Sequence, residues 1–486
     1  MDSRPGSTRS YRAEPGADRT GTAPVVELSS RSGRAVIVAA VFGSALAYMS
    51  DDMLNVALPT LADDLDVGVT GAQWVVNGYF VTMLSLMLIA GSIGDIRGHR
   101  RVFLEGLGVF TLGAVVCASA PVIPMLVVGR AIQGVGAALV LASGLALVHA
   151  SFGEDERSRA IGLYMGITAV STAVGPMLGG LLVDAISWRA IFIVPLAFPV
   201  LAAVVTFAGV SEAPRYADRS PDTRGAGLAL VTIAAFSVAL IGGPNDWLRP
   251  EVLAAIAVAL VGAVSLIAAQ RRADDPMLPL GLFDNPTFVG GNVVTLVSFM
   301  ASAGAFFFFV VHLQSTLGFE AAEAGAALVP LYLIMLVGSP LSGDLADKIG
   351  ARVPVVVGLL VFAAGAWWLS TLESGSGYLT EILPGLVVLA VGLATFGAPL
   401  TAATLGAIGE DEQGIASGVN NTVGQMGGLL MIAVLPAAAG LSGSSFEGPA
   451  FAEGYETALR ICALLALAAA AVAVITIRST AVPADP

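Results

Sequence analysis

Three charged residues lie deep inside long apolar stretches of the chain, in positions that could support the uptake and release of a proton. Asp51 and Asp52 lie in the first apolar stretch, and Arg130 lies in the fourth. A charged side chain at the centre of a bilayer costs about 2.5–3.5 kcal/mol, and residues of this kind are usually functional. At 1.5 Å per residue, Asp52 and Arg130 lie about 10–12 Å from the same membrane surface. This pattern allows reversible protonation of a buried carboxylate whose charge an arginine can balance.

The two aspartates are adjacent, and on a helix their side chains point about 100° apart. Tyr48, Asp52 and Asn55 recur at helical spacing and form one polar stripe, whereas the face of Asp51 is mostly apolar. The stripe favours Asp52 as the carboxylate that shares a polar cavity with Arg130, with Tyr48 and Asn55 as cavity residues. A static structural ion pair is the alternative interpretation.

The composition predicts an all-α protein that crosses a membrane many times. Of the 486 residues, 56% are hydrophobic and 12% are charged, whereas soluble domains carry about 25% charged residues. Apolar stretches of about 20 residues, long enough to cross a bilayer as a helix, recur from Ala35 onward. We count fourteen, at about 35–59, 71–95, 102–120, 122–149, 160–184, 189–210, 226–244, 251–270, 287–312, 321–345, 353–372, 379–408, 414–440 and 456–478.

Basic residues predict the orientation in the membrane. With the N-terminus placed in the cytoplasm, 19 of the 23 lysines and arginines fall in cytoplasmic segments and three fall outside. This asymmetry is typical of a correct topology. We therefore predict a multi-pass protein of the cytoplasmic membrane with both termini in the cytoplasm. Residues 1–33, rich in Ser, Arg, Gly and Pro, are predicted to be a disordered cytoplasmic tail, and 479–486 a second tail.

Several function classes are excluded by composition and motifs. A net charge of −13 argues against a nucleic-acid partner. Cys117 and Cys462 lie in opposite halves of the chain and the three histidines are scattered, so we expect neither a disulfide nor a metal site. The sequence contains no GxxxxGK[ST] phosphate-binding loop. We therefore expect no cofactor, no catalytic residues and no enzymatic activity, and we expect the protein to act as a monomer.

A charged segment occurs twice, as GSIGDIRGHR at 91–100 and as GDLADKIGAR at 343–352, and each copy ends an apolar span. Repeats of this kind mark two related membrane halves. The copies close spans 2 and 10, which are eight spans apart, so two extra helices lie between two six-helix halves. The predicted division is an N-terminal bundle at 34–210, a linker with helices 7 and 8 at 211–285, and a C-terminal bundle at 286–478.

We predict that the charged residues of the repeat lock the cytoplasmic face of the protein closed. An aspartate there could accept hydrogen bonds from a neighbouring helix N-terminus or from arginines. A solvated, positively charged loop is the alternative. The predicted locking residues are Asp95, Arg100, Arg101, Asp347 and Arg352.

Span 5 is rich in small residues and carries a proline in mid-membrane. Gly175, Pro176 and Gly179 fall in this stretch, and the proline removes one backbone hydrogen bond of the helix. We predict a bend and a close helix interface that takes part in gating, with ordinary helix packing as the alternative. In span 4, Gln133 lies on the same helix face as Arg130 and is a further predicted cavity residue.

The chain resembles the major facilitator superfamily, and within it the fourteen-helix drug:proton antiporter family. The repeat resembles the superfamily's loop motif, LVVGRAIQGVGAA at 126–138 resembles its span-4 motif, and GITAVSTAVGPMLGG at 166–180 is similar to the antiporter signature of span 5. Further resemblances are NVALP at 55–59, QWVVNGYFVT at 73–82, LQSTLGF at 313–319 and GIASGVNNTVGQMGG at 414–428.

The resemblance implies two six-helix bundles that rock around a central cavity, and it implies a role in proton coupling for Arg130. The chain departs from the family pattern at two positions. The family's span-1 acid corresponds to Ser50, beside Asp51, so both Asp51 and Asp52 stay candidates. Gly424 precedes Gln425 where the family often has an arginine.

The function that the residues and the resemblance together favour is proton-driven export of a small amphipathic or cationic drug or antibiotic. The expected partners are protons, a small-molecule substrate and the lipid bilayer. Export of an endogenous metabolite or lipid by the same fold is one alternative. A membrane receptor or scaffold that does not transport is another.

Overall fold

A computed structural model of the chain describes residues 26–212, 222–243, 247–273, 276, 278, 280–409, 413–441 and 448–477. The N-terminal half, Arg31–Gly209, is helical, and short turns join its elements. Its helices are α1 (Arg31–Asp64), α2 (Val69–Arg97), α3 (His99–Ala118), α4 (Ile123–Ser151), α5 (Glu154–Ala185), α6 (Ala190–Ile193) and α7 (Ala197–Gly209).

The inserted segment and the C-terminal half, Pro286–Thr476, continue the helical pattern over the residues that the structure describes. The inserted helices are α8 (Thr223–Gly242) and α9 (Pro250–Gln270). The helices of the C-terminal half are α10 (Pro286–Ser315), α11 (Ala321–Ala327), α12 (Val329–Ile349), α13 (Arg352–Leu369), α14 (Leu383–Leu405), α15 (Gln413–Ala438) and α16 (Pro449–Thr476). A π-helical turn, Tyr378–Ile382, leads into α14.

The prediction of an all-α, multi-pass membrane protein is confirmed. Twelve helices among the described residues are long and apolar enough to cross a membrane, or thirteen if the bent pair within α2 counts as one span. α5 covers the predicted fifth span, but its continuous apolar part among the described residues is the shorter segment Val174–Ala185. The count of fourteen spans therefore stays a prediction.

The inserted helices pack on the outside of the two halves. α8 contacts both α2 and α15, and α9 packs against α8. α9 exposes a row of large apolar side chains at Leu260, Val261 and Val264, which are 64–68% exposed. Such a row is expected where a helix faces lipid. α8 therefore lies beside both halves, and α9 lies against it.

α1 begins at Arg31, inside the segment predicted to be a tail (1–33), and the chain before it is packed. The Ser30 hydroxyl caps α1 by accepting a hydrogen bond from the Gly33 backbone N–H at 2.9 Å. The backbone N–H of Val26 donates to the Ser151 carbonyl at 3.0 Å, and that of Leu28 donates to the Glu156 carboxylate at 2.8 Å. Residues 1–25 and 479–486, the rest of the predicted tails, lie outside the described residues.

Glycines allow α3 and α4 to pack with their backbones in close contact. A Cβ atom on Gly136 would lie 2.4 Å from the Phe110 backbone nitrogen and 2.8 Å from the Gly106 carbonyl oxygen. Close approach of this kind is typical of small residues at membrane helix interfaces. It fixes the position of α4, the helix that carries Arg130.

We expect Gly136→Val to destabilise the fold by about 1–3 kcal/mol, because the added side chain must push α3 and α4 apart. Thermal unfolding of the purified protein in detergent measures this. Gly108→Val is the matched control, since Gly108 is on α3 and a Cβ there meets no atom within 4 Å. Equal unfolding temperatures for the two variants would contradict the assigned packing.

The helix ends define two faces of the molecule. At the Asp64 face, α1, α5, α10 and α15 end and α2 and α11 begin. At the Arg97 face, α2 and α12 end and α3, α10 and α15 begin. The basic-residue pattern predicts that the Asp64 face is outside the cell and the Arg97 face is in the cytoplasm.

Candidate functional site

Arg130 on α4 is completely buried and forms an ion pair with Asp51 on α1, with 3.0 Å between its Nη2 and the Asp51 Oδ1. Nη1 also donates to the Ser50 hydroxyl at 3.4 Å and to the Gln133 side-chain oxygen at 3.2 Å. Nε donates to the Val75 backbone carbonyl at 3.4 Å. The planar guanidinium thus contacts α1, α2 and its own helix at once, a geometry that a lysine cannot reproduce.

The ring of Tyr79, which lies on α2, packs against the guanidinium of Arg130. The Arg130 Cζ is 4.3 Å from the ring centroid, a cation–π geometry. The Tyr79 hydroxyl donates to the Ala47 carbonyl on α1 at 2.9 Å. Tyr79 therefore holds α1 and α2 together around the ion pair, and sequence reasoning did not single it out.

The polar stripe favours Asp52 as the partner of Arg130, but the ion pair is made by Asp51, the other candidate. The two carboxylates point in different directions, as their spacing predicts: Asp51 faces α4, whereas Asp52 lies between α5 and α12. A Cβ atom on Gly175 of α5 would lie 3.2 Å from the Asp52 Cβ. A polar stripe identifies a polar helix face, but the packing of α1 between α4 and α5 decides which face meets the arginine.

The polar stripe on α1 faces the C-terminal half. Tyr48 contacts the side chain of Asn421 on α15. Asp52 interacts electrostatically with Tyr332 on α12, and it accepts no hydrogen bond from a residue that the structure describes. The side-chain oxygen of Asn55 is also buried without a partner among these residues. The stripe therefore places Tyr48, Asp52 and Asn55 between the two halves.

The prediction that Gln133 lines a cavity is not what the structure shows. Gln133 is only 1% exposed, and its side-chain oxygen accepts hydrogen bonds from Arg130 and, at 3.6 Å, from the Cys117 thiol. It does share the helix face of Arg130, as predicted, but that face is filled by α1, α2 and α3. Gln133 therefore helps to hold the Arg130 guanidinium in place through a hydrogen bond.

The two halves contact each other closely at the Asp64 face. The Asp184 carboxylate at the end of α5 accepts hydrogen bonds from the backbone N–H groups of Ala321, at 3.3 Å, and Ala322, at 2.7 Å. A Cβ on Gly180 would lie 2.1 Å from the Ala321 carbonyl oxygen. On the other side, a Cβ on Gly325 would lie 2.3 Å from the Pro176 carbonyl oxygen. Reciprocal glycines thus bring α5 and α11 into backbone contact.

The predicted gating residues of α5 lie in close helix interfaces. Pro176 lies inside α5. A Cβ on Gly179 would be 2.8 Å from the Met53 Cα on α1, and Gly175 faces Asp52 and Met49 on the same helix. The close interface that the small residues predict is therefore present, while a role of these residues in gating stays a prediction.

The repeated charged segment folds in the same way in both copies. Gly98 and Gly350 have φ angles of +94° and +86°, in the region that favours glycine. The N–H of each donates at 2.8 Å to a carbonyl four residues earlier, at Gly94 and Ala346. The repetition in the sequence therefore corresponds to a repeated sharp turn at the Arg97 face.

The charged residues of the first copy contact residues of the N-terminal half and the start of the linker. Asp95 contacts the His99 ring nitrogen at 3.1 Å, and the Arg101 Nε donates to Glu105 at 3.0 Å. The Arg100 backbone N–H donates to Glu212 at 3.0 Å. In the second copy, Arg352 donates to the Val474 carbonyl, and Asp347 is exposed. Locking of the Arg97 face by these residues stays a prediction.

Contacts between the halves also involve residues that sequence reasoning left out. Gln314 on α10 donates to the Val56 carbonyl at 2.9 Å, and Gln73 on α2 donates to two carbonyls of α15. Both glutamines occur in segments that resemble the antiporter family. Their partners are backbone carbonyls, which every residue has. The sequence therefore indicates the segment in which each glutamine lies but does not identify its hydrogen-bond partner.

The helical architecture defines a polytopic membrane protein, and the comparisons identify its family. The family model of the Major Facilitator Superfamily matches residues 40–432 and 292–484. The chain belongs to the Major Facilitator Superfamily.

Its relatives include bacterial proteins that are named for drug resistance or antibiotic export. The chain is 33% identical to the "Multidrug resistance protein Stp" of Mycobacterium tuberculosis (strain ATCC 25618 / H37Rv) over 84% of this chain and 76% of that protein. It is 33% identical to the "Cephamycin export protein CmcT" of Amycolatopsis lactamdurans, over 94% of each chain. It is 32% identical to the "Methylenomycin A resistance protein" of Streptomyces coelicolor (strain ATCC BAA-471 / A3(2) / M145), over 86% of this chain and 89% of that protein.

Solved structures show the same fold at low sequence identity. A bacterial homologue of the human lysosomal transporter Spinster, in an inward-facing and occupied conformation, matches with a TM-score of 0.68 and 16% identity. The match covers 93% of this chain and 98% of that chain. This likeness concerns the fold alone.

Proposed function

We propose that the protein is a proton-coupled antiporter that exports a small amphipathic or cationic drug or antibiotic across the cytoplasmic membrane. The observation that carries this proposal is the Asp51–Arg130 ion pair, which lies deep between α1 and α4. Beside it lies Asp52, which has no cationic partner among the described residues. A buried ion pair is costly to maintain and is weak evidence for a purely structural role. It suits a carboxylate that must gain and lose a proton.

Protonation of Asp51 would change how tightly α1 is held against α4. A proton on Asp51 would remove the negative charge that faces Arg130, while the arginine would keep its hydrogen bonds to Ser50, Gln133 and the Val75 carbonyl. Of these contacts, only those to Asp51 and Ser50 join α4 to α1. Protonation would therefore loosen α1 from α4 and allow the halves to move.

The substrate would bind beside this pair, between the halves. Asp52 and Tyr48 lie on the face of α1 that meets α12 and α15. A carboxylate without a cationic partner among the described residues can bind an amine or another cation. Two neighbouring carboxylates disfavour each other's ionised form. Binding of a cationic substrate at Asp52 would therefore change how readily Asp51 takes up a proton.

The contacts at the Asp64 face define the state that the structure represents. We place this face outside the cell from the basic-residue asymmetry, so the conformation is closed to the outside. In the opposite state, the repeated turns around Asp95 and Asp347 would close the Arg97 face, as their sequence predicts. The names of the relatives, which refer to multidrug resistance and antibiotic export, support a drug as the cargo.

We also propose that both termini lie in the cytoplasm, that the chain divides into bundles at 34–210 and 286–478, and that it works as a monomer. The division is supported by the two copies of the turn, at Gly98 and Gly350, and by the position of α8 against both halves.

Dye efflux from energised vesicles tests the function, and the two aspartates should respond differently. Asp51→Asn should lose the dependence on the proton gradient, because the asparagine cannot be charged opposite Arg130. Asp52→Asn should keep this dependence for a neutral substrate and bind cationic dyes about tenfold more weakly, as expected for a lost charge-assisted contact. Efflux that continues at the same rate after an uncoupler collapses the gradient would contradict proton coupling.

A further inference from the structure

Gln73 on α2 is a buried link between the two halves at the Asp64 face. It is 4% exposed, and its side-chain amide donates to the backbone carbonyls of Ile432, at 2.8 Å, and Ala433, at 2.9 Å, on α15. The two acceptors belong to the opposite half and lie some 360 residues away in the chain. This contact exists only while α2 and α15 are together, so it favours the closed Asp64 face.

Asn77 lies one helical turn deeper in the membrane than Gln73, and its side chain is buried without the hydrogen bonds that Gln73 makes. It is completely buried, at 0% exposed, and neither its amide nitrogen nor its amide oxygen has a hydrogen-bond partner in the part of the chain that the structure describes. An unpaired buried amide loses its hydration without compensation and is therefore unfavourable. Such groups are rare in folded proteins, and each one calls for an explanation.

The two side chains lie on the same face of α2, opposite the face that packs on α4. The α4-facing side is marked by the Val75 carbonyl, which accepts from Arg130, and by Thr82, which donates to the Ala131 carbonyl at 2.8 Å. Residues four apart lie on one helix face. Asn77 therefore shares the face with which Gln73 meets α15, about 6 Å deeper in the membrane.

We propose that Gln73 and Asn77 form a gate pair whose members bias the transporter in opposite directions. Gln73 holds the Asp64 face closed, because opening exchanges its two bonds to carbonyls for bonds to water. Asn77 favours opening, because its amide is unpaired when the halves are together and is hydrated when they separate. The gate pair keeps the two states close in free energy, as a carrier must. This inference rests on the proposed alternation between two states.

Spin-label distances across the Asp64 face measure the bias directly. Labels are placed on cysteines at the exposed positions Asp63 and Glu373, on α1 and in the loop before α14, and the two native cysteines are buried. Gln73→Leu should raise the open-to-closed ratio by about tenfold, and Asn77→Leu should lower it by a similar factor, the size expected for one net hydrogen bond. Asn77→Ala, which adds no bulk, should shift the ratio in the same direction as Asn77→Leu.

Gln270→Leu is the matched control. Gln270 is buried, at 3% exposed, and donates to Asp222 at 2.6 Å, but this contact lies within the inserted segment and does not join the halves. The control should leave the distance distribution unchanged. A Gln73→Leu protein that stays closed, or an Asn77→Ala protein that opens or does not shift, would overturn the gate pair.

The distance measurement separates this inference from the proposed function. It needs neither substrate nor proton gradient, so opposite shifts in the two variants would support the gate pair even if transport proved independent of protons. Conversely, proton-driven efflux with no shift in either variant would overturn the gate pair and leave the proposed function standing.

Discussion

Replacing Arg130 by alanine should abolish gradient-driven export while the protein remains folded and inserted in the membrane. The variant leaves Asp51 in its partly buried position without the cation that balances it, a loss worth about 3–5 kcal/mol for a buried pair. Asp51 would then stay protonated throughout the cycle, because an isolated carboxylate avoids ionisation in an apolar environment. We expect efflux in energised vesicles to fall at least about 100-fold, the factor that 3 kcal/mol corresponds to.

Two comparisons separate a lost proton site from a damaged fold. Arg130→Lys keeps the positive charge but cannot reach Asp51, Ser50, Gln133 and the Val75 carbonyl together, so it should restore only part of the activity. Arg189→Ala removes an arginine that pairs with Asp64 at 2.9 Å on the exposed Asp64 face, and it should transport normally. Normal export by the Arg130→Ala protein would contradict the assigned role.

Adding a side chain at Gly180 should stop the transport cycle. A single Cβ would lie 2.1 Å from the Ala321 carbonyl oxygen and 2.6 Å from the Ala322 Cα, so α5 and α11 could not approach as they do in this structure. Gly180→Leu should therefore prevent closure of the Asp64 face and reduce efflux by about tenfold or more, since overpacking of this kind costs about 1–3 kcal/mol. Vesicle efflux and the spin-label distance between positions 63 and 373 are the two measurements.

Two further variants test the same prediction, one at the reciprocal glycine of the interface and one at a glycine outside it. Gly325→Leu should have the same effect as Gly180→Leu, because a Cβ there would meet the Pro176 carbonyl oxygen at 2.3 Å. Gly108→Leu on α3, where a Cβ meets nothing within 4 Å, should leave both measurements unchanged. Unimpaired efflux with a closed Asp64 face in the Gly180→Leu protein would show that this interface does not control the cycle.

The sequence predicts the membrane architecture and the ion-pair residues because both depend on local properties. Apolar length sets the spans, and the cost of a charge in the membrane singles out Arg130, which is completely buried. The repeat around Gly98 and Gly350 is visible because a positive φ angle restricts the residue type at that turn.

The partners across helices could not be predicted in the same way. Whether Asp51 or Asp52 meets Arg130 depends on how α1 is rotated between α4 and α5, which the polar stripe alone does not determine. Gln133 was placed on the correct helix face, but that face is covered by neighbouring helices. The contact of Asp184 with Ala321 and Ala322 uses backbone N–H groups, which every residue other than proline has.

Proton movement driven by substrate tests the central claim most directly. Inside-out vesicles that hold the protein and a trapped pH indicator are first acidified inside, and a cationic dye is then added. If export is exchanged for protons at Asp51, dye uptake will make the interior more alkaline, and the Asp51→Asn protein will produce no such change. Dye accumulation in the native protein without any change of internal pH would contradict the proposed antiport.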